Sequence, residues 1–262
     1  MYPFVHIGPI TLGTYGIFVA VGLLVGFFVM QKDLNRRGLT ADPNVIVGIT
    51  GLAGLVGSRI YFNLETPKEF FANPWPQLFS TMGFTFTGAA LGGAIALILI
   101  ARHYKMPILQ MLDVASPAAA IGYGFGRIGC LISGDGDYGI PTSLPWGMSF
   151  PNGIVPTTQK VHPTPIYEFL AAVLIFWILW RIGARWLNDA GHTGKLFGVY
   201  LLLSGVARFF VEIIRINPRV LWGLTNAQIA SIIYVIVGTF LVTRTPRAGV
   251  SARTQRSSQS AA

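Results

Sequence analysis

Seven stretches of this chain stay apolar for close to the roughly 20 residues that carry a helix across a bilayer, and that recurrence restricts the fold more than any other feature. They run from about Thr11 to Met30, Asn44 to Phe62, Phe79 to Ile100, Ile108 to Ile128, Ile166 to Trp180, Leu196 to Ile214 and Asn226 to Val242. Only 11% of the 262 residues are charged, against about a quarter in a soluble domain. The expectation is an all-α polytopic membrane protein with seven transmembrane helices. The N-terminus lacks a basic leader and a small-residue cleavage site, so the first run reads as a retained span.

Between the runs the chain changes character. The second run carries Gly48, Gly51, Gly54 and Gly57, a spacing that lets membrane helices pack backbone to backbone. Residues 63–78 read as a loop with interfacial aromatics and prolines. Residues 133–165 form the longest polar segment, and their prolines, glycines and Trp146 suggest a compact loop domain at the membrane surface. A short arm, INPRVLWGL, follows the sixth run. The expected organisation is a membrane domain over 1–243 and a basic, serine-rich, disordered tail over 244–262.

The positive-inside rule then orients the spans. With the loops after spans 1, 3 and 5 and the tail on the cytoplasmic side, that side holds Lys32, Arg36, Arg37, Arg102, Lys105, Arg181, Arg185, Lys195, Arg244, Arg247, Arg253 and Arg256. The opposite side keeps Lys68, Lys160, Arg215 and Arg219. The N-terminus and the 133–165 loop therefore face the periplasm, and the C-terminus the cytoplasm. Cytoplasmic anchoring accounts for the net charge of +9 without any nucleic-acid partner. The single cysteine, Cys130, excludes an internal disulfide and a multi-cysteine metal site. No cluster has metal-ligand spacing, so no cofactor is expected.

Three basic residues, Arg59, Arg127 and Arg208, and three acids, Asp113, Glu168 and Glu212, lie inside the runs. Intramembrane charges are costly and mark function when they face a cavity. All but Asp113 fall near the outer ends of their spans, with Tyr15 and Thr87 in the same half. They can be read structurally, as snorkelling arginines and an i,i+4 pair between Arg208 and Glu212. Arg127 and Arg208 together, beside the glycine-rich stretch GYGFGRIGCLISGDGDYG at 122–139, favour an anion site instead, because the guanidinium fork matches phosphate oxygens. A phosphate at this depth is most simply a phospholipid headgroup. Glu168 and Glu212 would orient the arginines or move protons. The match of GFGRIG at 124–129 to a dinucleotide-binding pattern lacks the strand and βαβ unit it requires and is set aside.

These residues carry a resemblance to the prolipoprotein diacylglyceryl transferase family over almost the whole chain. It includes Leu12 to Gly16, Gly57 to Tyr61, Gly83 to Gly88, the GRIG of Gly126 to Gly129, His162-Pro163, Tyr167-Glu168, and the R-x3-E-x2-R of Arg208, Glu212 and Arg215. The resemblance implies transfer of a diacylglyceryl group from phosphatidylglycerol to the lipobox cysteine thiol of a preprolipoprotein. A thioether forms and glycerol 1-phosphate leaves, in a bacterial inner membrane, at a cavity open to the outer leaflet. It further implies that Arg127 contacts the lipid phosphate, that Arg208 is essential, and that Tyr15 and Gly139 lie at the site. With Arg127 and Arg208, Glu212, His162 and Asp135 are the catalytic candidates. Tyr15, Arg59, Tyr61, Thr87, Gly129, Gly134, Gly139, Glu168 and Arg215 are the candidate substrate contacts.

The chain departs from the family pattern in one neighbourhood and at one distant position. Thr87 stands where histidine or tyrosine is usual, Cys130 and Ser133 where asparagines are, and Asp135 where glutamate is. Gly136-Asp137 lengthens the loop by a residue. A base at the Thr87 position is therefore lost, leaving His162, Asp135 and Glu168. Cys130 reads as a small packing residue, since the nucleophilic thiol belongs to the substrate. A paralogue with the same lipid donor and another acceptor is the nearest alternative. A transporter is the rival from another class, although such proteins hold their sites at the midplane between repeated halves.

Overall fold

The computed structural model describes residues 2–79, 83–187 and 189–244. The chain divides into two compact units, one formed by residues up to Val29 together with those from Ala115 on, the other by Met30–Val114. A short hairpin, β1 (Phe4–Ile7) and β2 (Ile10–Gly13), leads into α1 (Thr14–Arg37). Then come α2 (Pro43–Glu65), two single-turn helices α3 (Pro67–Ala72) and α4 (Pro74–Phe79), α5 (Phe86–His103) and α6 (Ile108–Ser133). A second hairpin pairs β3 (Met148–Phe150) with β4 (Thr157–Val161) ahead of α7 (Thr164–Arg185) and α8 (Lys195–Ile213). A third, β5 (Arg219–Leu221) with β6 (Leu224–Thr225), precedes α9 (Asn226–Thr243).

Among the described residues, six helices are long and apolar enough to cross a membrane: α1, α2, α5, α7, α8 and α9. The protein is thus a helical, multi-pass membrane protein. The fourth predicted run, α6, has the length at 26 residues, but Gln110, Asp113, Ser116, Pro117 and Arg127 dilute its hydropathy. Much of its middle is buried, including Met111, Val114, Ser116, Pro117 and Ala120.

The elements refine the predicted boundaries in three places. The third run was expected to be helical from Phe79, yet Phe79 closes α4 and the long helix starts at Phe86. Thr85 sets that start: its side chain accepts from the Gly88 N–H at 3.4 Å and donates to the Ser58 carbonyl at 3.2 Å. The 63–78 loop contains the two proline-led turns α3 and α4. The arm after the sixth run is the β5–β6 hairpin. The expected tail lies outside the described residues beyond Arg244, whose guanidinium donates to the Thr193 carbonyl at 2.9 Å.

Glycines fix the closest helix contacts. In the Met30–Val114 unit, α2 packs on α5 through Gly57; a Cβ there would stand 3.1 Å from the Gly92 Cα. A Cβ at Gly54 would meet the Ala89 carbonyl at 3.5 Å, whereas Gly48 faces open space. In the other unit, α8 packs on α9 the same way. A Cβ at Gly205 would come within 2.8 Å of the Ser231 carbonyl, and one at Gly198 within 3.0 Å of the Gly238 carbonyl. Without a hydrophobic force between helices in lipid, such close approach supplies the van der Waals contact that holds them. The start of α9 carries a full capping box: Thr225 Oγ1 accepts from the Gln228 N–H at 3.2 Å, and Gln228 Oε1 from the Thr225 N–H at 3.1 Å.

The polar segment after α6 folds back on the helices. Tyr138 stacks on Phe150, with ring centroids 5.2 Å apart, and buries with Val161 against Leu131 and Met148. The backbone laces three elements together: Gly139 N–H donates to the His162 carbonyl at 2.9 Å, and Ile140 N–H to the Ile214 carbonyl at 2.8 Å. The ends of β4 and α8 thereby meet the loop that leaves α6.

Candidate active site

The Arg127 side chain leaves α6 one turn after Tyr123, and the i,i+4 spacing lets its Nε donate to the Tyr123 hydroxyl at 2.9 Å. Its guanidinium lies over the Tyr123 ring, 4.9 Å from the centroid. Tyr123 in turn donates to Glu168 Oε1 at 2.7 Å. Glu168, one turn into α7 and 3% exposed, is the hub. It pairs with Arg208 through Oε1, and through Oε2 with Arg127 Nε at 3.3 Å and Arg215 Nη1 at 3.4 Å. Buried charge is tolerable only when paired, and one carboxylate here serves three guanidiniums.

Glu212, 2% exposed on α8, holds the other side. Its Oε2 lies 2.8 Å from Arg208 Nη2 and 3.6 Å from Arg215 Nε. Its Oε1 accepts from the Asn217 amide at 2.7 Å and the Thr225 hydroxyl at 2.9 Å. The residue that caps α9 therefore also fixes this carboxylate. Asp137 completes the cluster from the loop: one oxygen pairs with Arg127 Nη1, the other with Arg215 Nη2, and its carbonyl accepts from the Thr164 hydroxyl. Three arginines and three carboxylates balance formally.

The structure brings together Arg127, Arg208, Arg215, Glu168 and Glu212 from the predicted set. Gly129, Gly134 and Gly139 are close-approach positions. A Cβ at Gly129 would sit 3.2 Å from the Tyr15 Cα, so this glycine lets α1 bring Tyr15 alongside. A Cβ at Gly139 would lie 2.6 Å from the Ile214 carbonyl and 3.0 Å from the His162 Cβ. Gly134 (φ 60°) packs on Gly153 in a left-handed conformation that glycine adopts freely.

His162 is half-buried, with Nδ1 3.2 Å from the Tyr167 hydroxyl, which itself accepts from Trp146 Nε1 at 2.8 Å. Asp135 lies on the loop, its Oδ1 accepting from the Asp137 N–H at 3.2 Å. Arg59, Tyr61 and Thr87 belong to the Met30–Val114 unit. There Arg59 is buried, donates to the Gly83 carbonyl at 3.0 Å and faces the rings of Phe62 and Phe84, while Thr87 is exposed.

Asp135 and Asp137 sit two residues apart and titrate oppositely. Burial, then the neighbouring Asp137 charge, pushes the Asp135 carboxyl above its ordinary value of 3.8. Burial would do the same to Asp137, but the Arg127 and Arg215 guanidiniums together hold its carboxyl down at about 2. Cys130, Asp135 and Asp137 have ligand atoms within 4.8 Å of one another. Both Asp137 oxygens of this triad are on guanidiniums.

Sequence reasoning passed over Tyr123, Asn217 and Thr225, and treated Asp137 only as loop lengthening. Tyr123 had a signal, the i,i+4 step to Arg127. Asp137 reaches Arg215 across 78 residues of chain, a pairing that no local pattern encodes.

Comparison with known proteins now bears on this geometry. The family described as prolipoprotein diacylglyceryl transferase matches residues 3–244. A Clostridium tetani protein named phosphatidylglycerol–prolipoprotein diacylglyceryl transferase is 34% identical over 233 residues, covering 87% of this chain and 90% of its own. Relatives with the same name from Synechococcus elongatus and Leptospira interrogans are 30% and 28% identical. They cover 89% and 87% of this chain, and 83% and 87% of their own.

Proposed function

The chain belongs to the prolipoprotein diacylglyceryl transferase family, and from that premise we propose how its charge cluster does the family's chemistry. The protein is a membrane transferase that moves a diacylglyceryl group from phosphatidylglycerol to a prolipoprotein. The acceptor is the lipobox cysteine thiol of the preprolipoprotein, and the product is a thioether. The observation that carries the reading is the convergence of Arg127, Arg208 and Arg215 on two buried glutamates, Glu168 and Glu212.

The reaction breaks the bond between the glyceryl carbon and the phosphate oxygen, so negative charge grows on the departing glycerol 1-phosphate. Guanidiniums fixed in advance, in a site poor in water, stabilise that charge without reorganising. Arg127 and Arg208 supply it. Glu168, Glu212, Tyr123 and Thr225 act as positioning residues, because each touches an arginine or another member of the cluster. The same positive field favours the substrate thiolate, whose unperturbed pKa is about 8.5.

Of the three base candidates, Glu168 is committed to the arginines. His162 faces Tyr167 and lies where the loop crosses β4. Asp135, pushed upward by burial and by Asp137, is the carboxylate best matched to taking the thiol proton.

The wider architecture follows the same reading. α6 is the seventh span, its polar positions shielded by burial. The N-terminus and residues 133–165 face the periplasm of a bacterial inner membrane, with the catalytic domain over 1–243 and a cytoplasmic tail over 244–262. The excess of lysine and arginine after α1, α5 and α7 supports this orientation.

Two assays test the function. The gene should restore growth to a strain depleted of its diacylglyceryl transferase. Purified protein in phosphatidylglycerol-containing vesicles should add a diacylglyceryl mass to a lipobox peptide, with glycerol 1-phosphate released one for one. Folded, inserted protein that modifies no lipobox peptide would refute the acceptor assignment.

A further inference from the structure

Of the three carboxylates in the cluster, Asp137 differs in how it is held. Glu168 and Glu212 stand on helices and are almost fully buried. Asp137 follows Gly136 (φ 94°) and Gly134 (φ 60°) on a loop, and its side chain is 30% exposed. Glu168 Oε2 holds Arg127 and Arg215 at Nε and Nη1 respectively. Asp137 takes different donors of the same two arginines, Nη1 of Arg127 and Nη2 of Arg215. A carboxylate spreading two oxygens over two guanidiniums makes the bonds that a phosphodiester's two non-bridging oxygens would make.

We propose that Asp137 is an internal stand-in for the lipid phosphate: it keeps Arg127 and Arg215 aligned between turnovers and is displaced by the phosphate of incoming phosphatidylglycerol. The inference rests on the reading that Arg127 stabilises that phosphate, and it adds Arg215 as the second guanidinium. Two anchors restrict the movement to a small one. The Asp137 carbonyl accepts from Thr164, and Tyr138 is stacked on Phe150, so the backbone is fixed on the C-terminal side of the side chain. Upstream, the Gly134 carbonyl accepts from the Val155 N–H at 2.9 Å, so the exchange is a rotation of the Asp137 side chain rather than a movement of the loop. The exchange swaps one anion for another, so the arginines are never left unpaired, and the lipid competes with a local carboxylate for its site.

The test is the phosphatidylglycerol dependence of peptide modification in mixed vesicles of phosphatidylcholine and phosphatidylglycerol, for wild type, Asp137→Asn and Arg127→Lys. Removing the competing charge should lower the KM for phosphatidylglycerol about twofold to fivefold, the range of a partly exposed ion pair. The inhibition constant of glycerol 1-phosphate should fall in step. An Asp137 that only braces the arginines would instead raise both constants when changed to Asn, and an unchanged KM would equally overturn the stand-in role.

Arg127→Lys separates the layers. If it raises the KM while Asp137→Asn does not lower it, the phosphate site stands and the stand-in role is wrong. If Arg127→Lys leaves the KM untouched, the phosphate is not on Arg127 and both claims fall. Should Asp137→Asn not fold, carbodiimide labelling of wild-type protein decides. Adding phosphatidylglycerol should increase labelling of Asp137 at least threefold while Glu168 stays protected, and no increase would refute displacement.

Discussion

The helix-borne and loop-borne halves of the charge cluster are built on different terms. Glu168 and Glu212 come from α7 and α8, are almost wholly buried, and each binds two or more partners. Asp135 and Asp137 come from a glycine-rich loop, are partly exposed, and shift in opposite directions, Asp135 upward through burial and Asp137 downward through its two arginines. The helices supply fixed charge of the kind electrostatic catalysis needs. On the proposed reading, the loop supplies charge that the incoming lipid displaces.

The largest expected effect falls on the helix-borne arginines. Arg127→Ala and Arg208→Ala should each reduce peptide modification at least about a hundredfold, the scale of losing a preorganised donor at a developing anion. Comparable expression and melting temperature for at least one of them would assign the loss to chemistry. Activity within a few fold of wild type would break the proposed division of labour.

Next comes stability. Glu168→Ala leaves three guanidiniums without their common partner and should destabilise by about 3–5 kcal/mol, as for a broken buried ion pair. Asp137→Asn should lower the melting temperature far less, because its partners keep Glu168. If the two variants melt alike, the distinction between fixed and displaceable carboxylates is wrong.

The loop pair gives a pH signature of smaller size. The carboxyl of Asp137 is held at about 2 in the folded protein, below its ordinary value of 3.8. Its contribution is therefore full above about pH 4 and lost as pH falls toward 2. The Asp135 carboxyl is raised, so its charged form weakens the fold at neutral pH, and that penalty fades on acidification. Asp135→Asn should accordingly melt higher than wild type at pH 7, with the gap closing at acid pH, while its transfer rate falls. A variant less stable at pH 7 would contradict the sign, and full activity would remove Asp135 as the base.

The smallest effect expected is at Cys130. It is buried at the end of α6, with its Sγ 3.9 Å from Arg127 Nη1. Cys130→Ser should retain transfer within about twofold, since on the proposed reading the reacting thiol arrives with the substrate. Loss of peptide modification in a folded Cys130→Ser protein would make this thiol part of the reaction.

The spans were legible because burial in lipid imposes a long apolar run whatever the tertiary contacts. α6 tests that rule: it is long, but Gln110, Asp113, Ser116, Pro117 and Arg127 lower its hydropathy. The i,i+4 steps from Tyr123 to Arg127 and from Arg208 to Glu212 were equally readable in principle. Gly129 and Gly139, candidate substrate contacts, also admit Tyr15 of α1 and the Ile214 carbonyl. A glycine in sequence signals close approach without saying to what. The start of α5 at Phe86 escaped because a single cap, Thr85, overrides apolar residues upstream. Asp137 escaped because both its partners are set by the fold.

The central claim is that the lipid phosphate occupies the arginine cluster, and headgroup photocrosslinking tests it without altering a residue. A phosphatidylglycerol analogue carrying a diazirine on its glycerol headgroup would be irradiated with wild-type protein in vesicles and the adducts mapped by mass spectrometry. Adducts concentrated on residues 134–139 and 208–215, and suppressed by excess phosphatidylglycerol, are the predicted result. Suppressible adducts that avoid both segments would place the phosphate elsewhere and contradict the account.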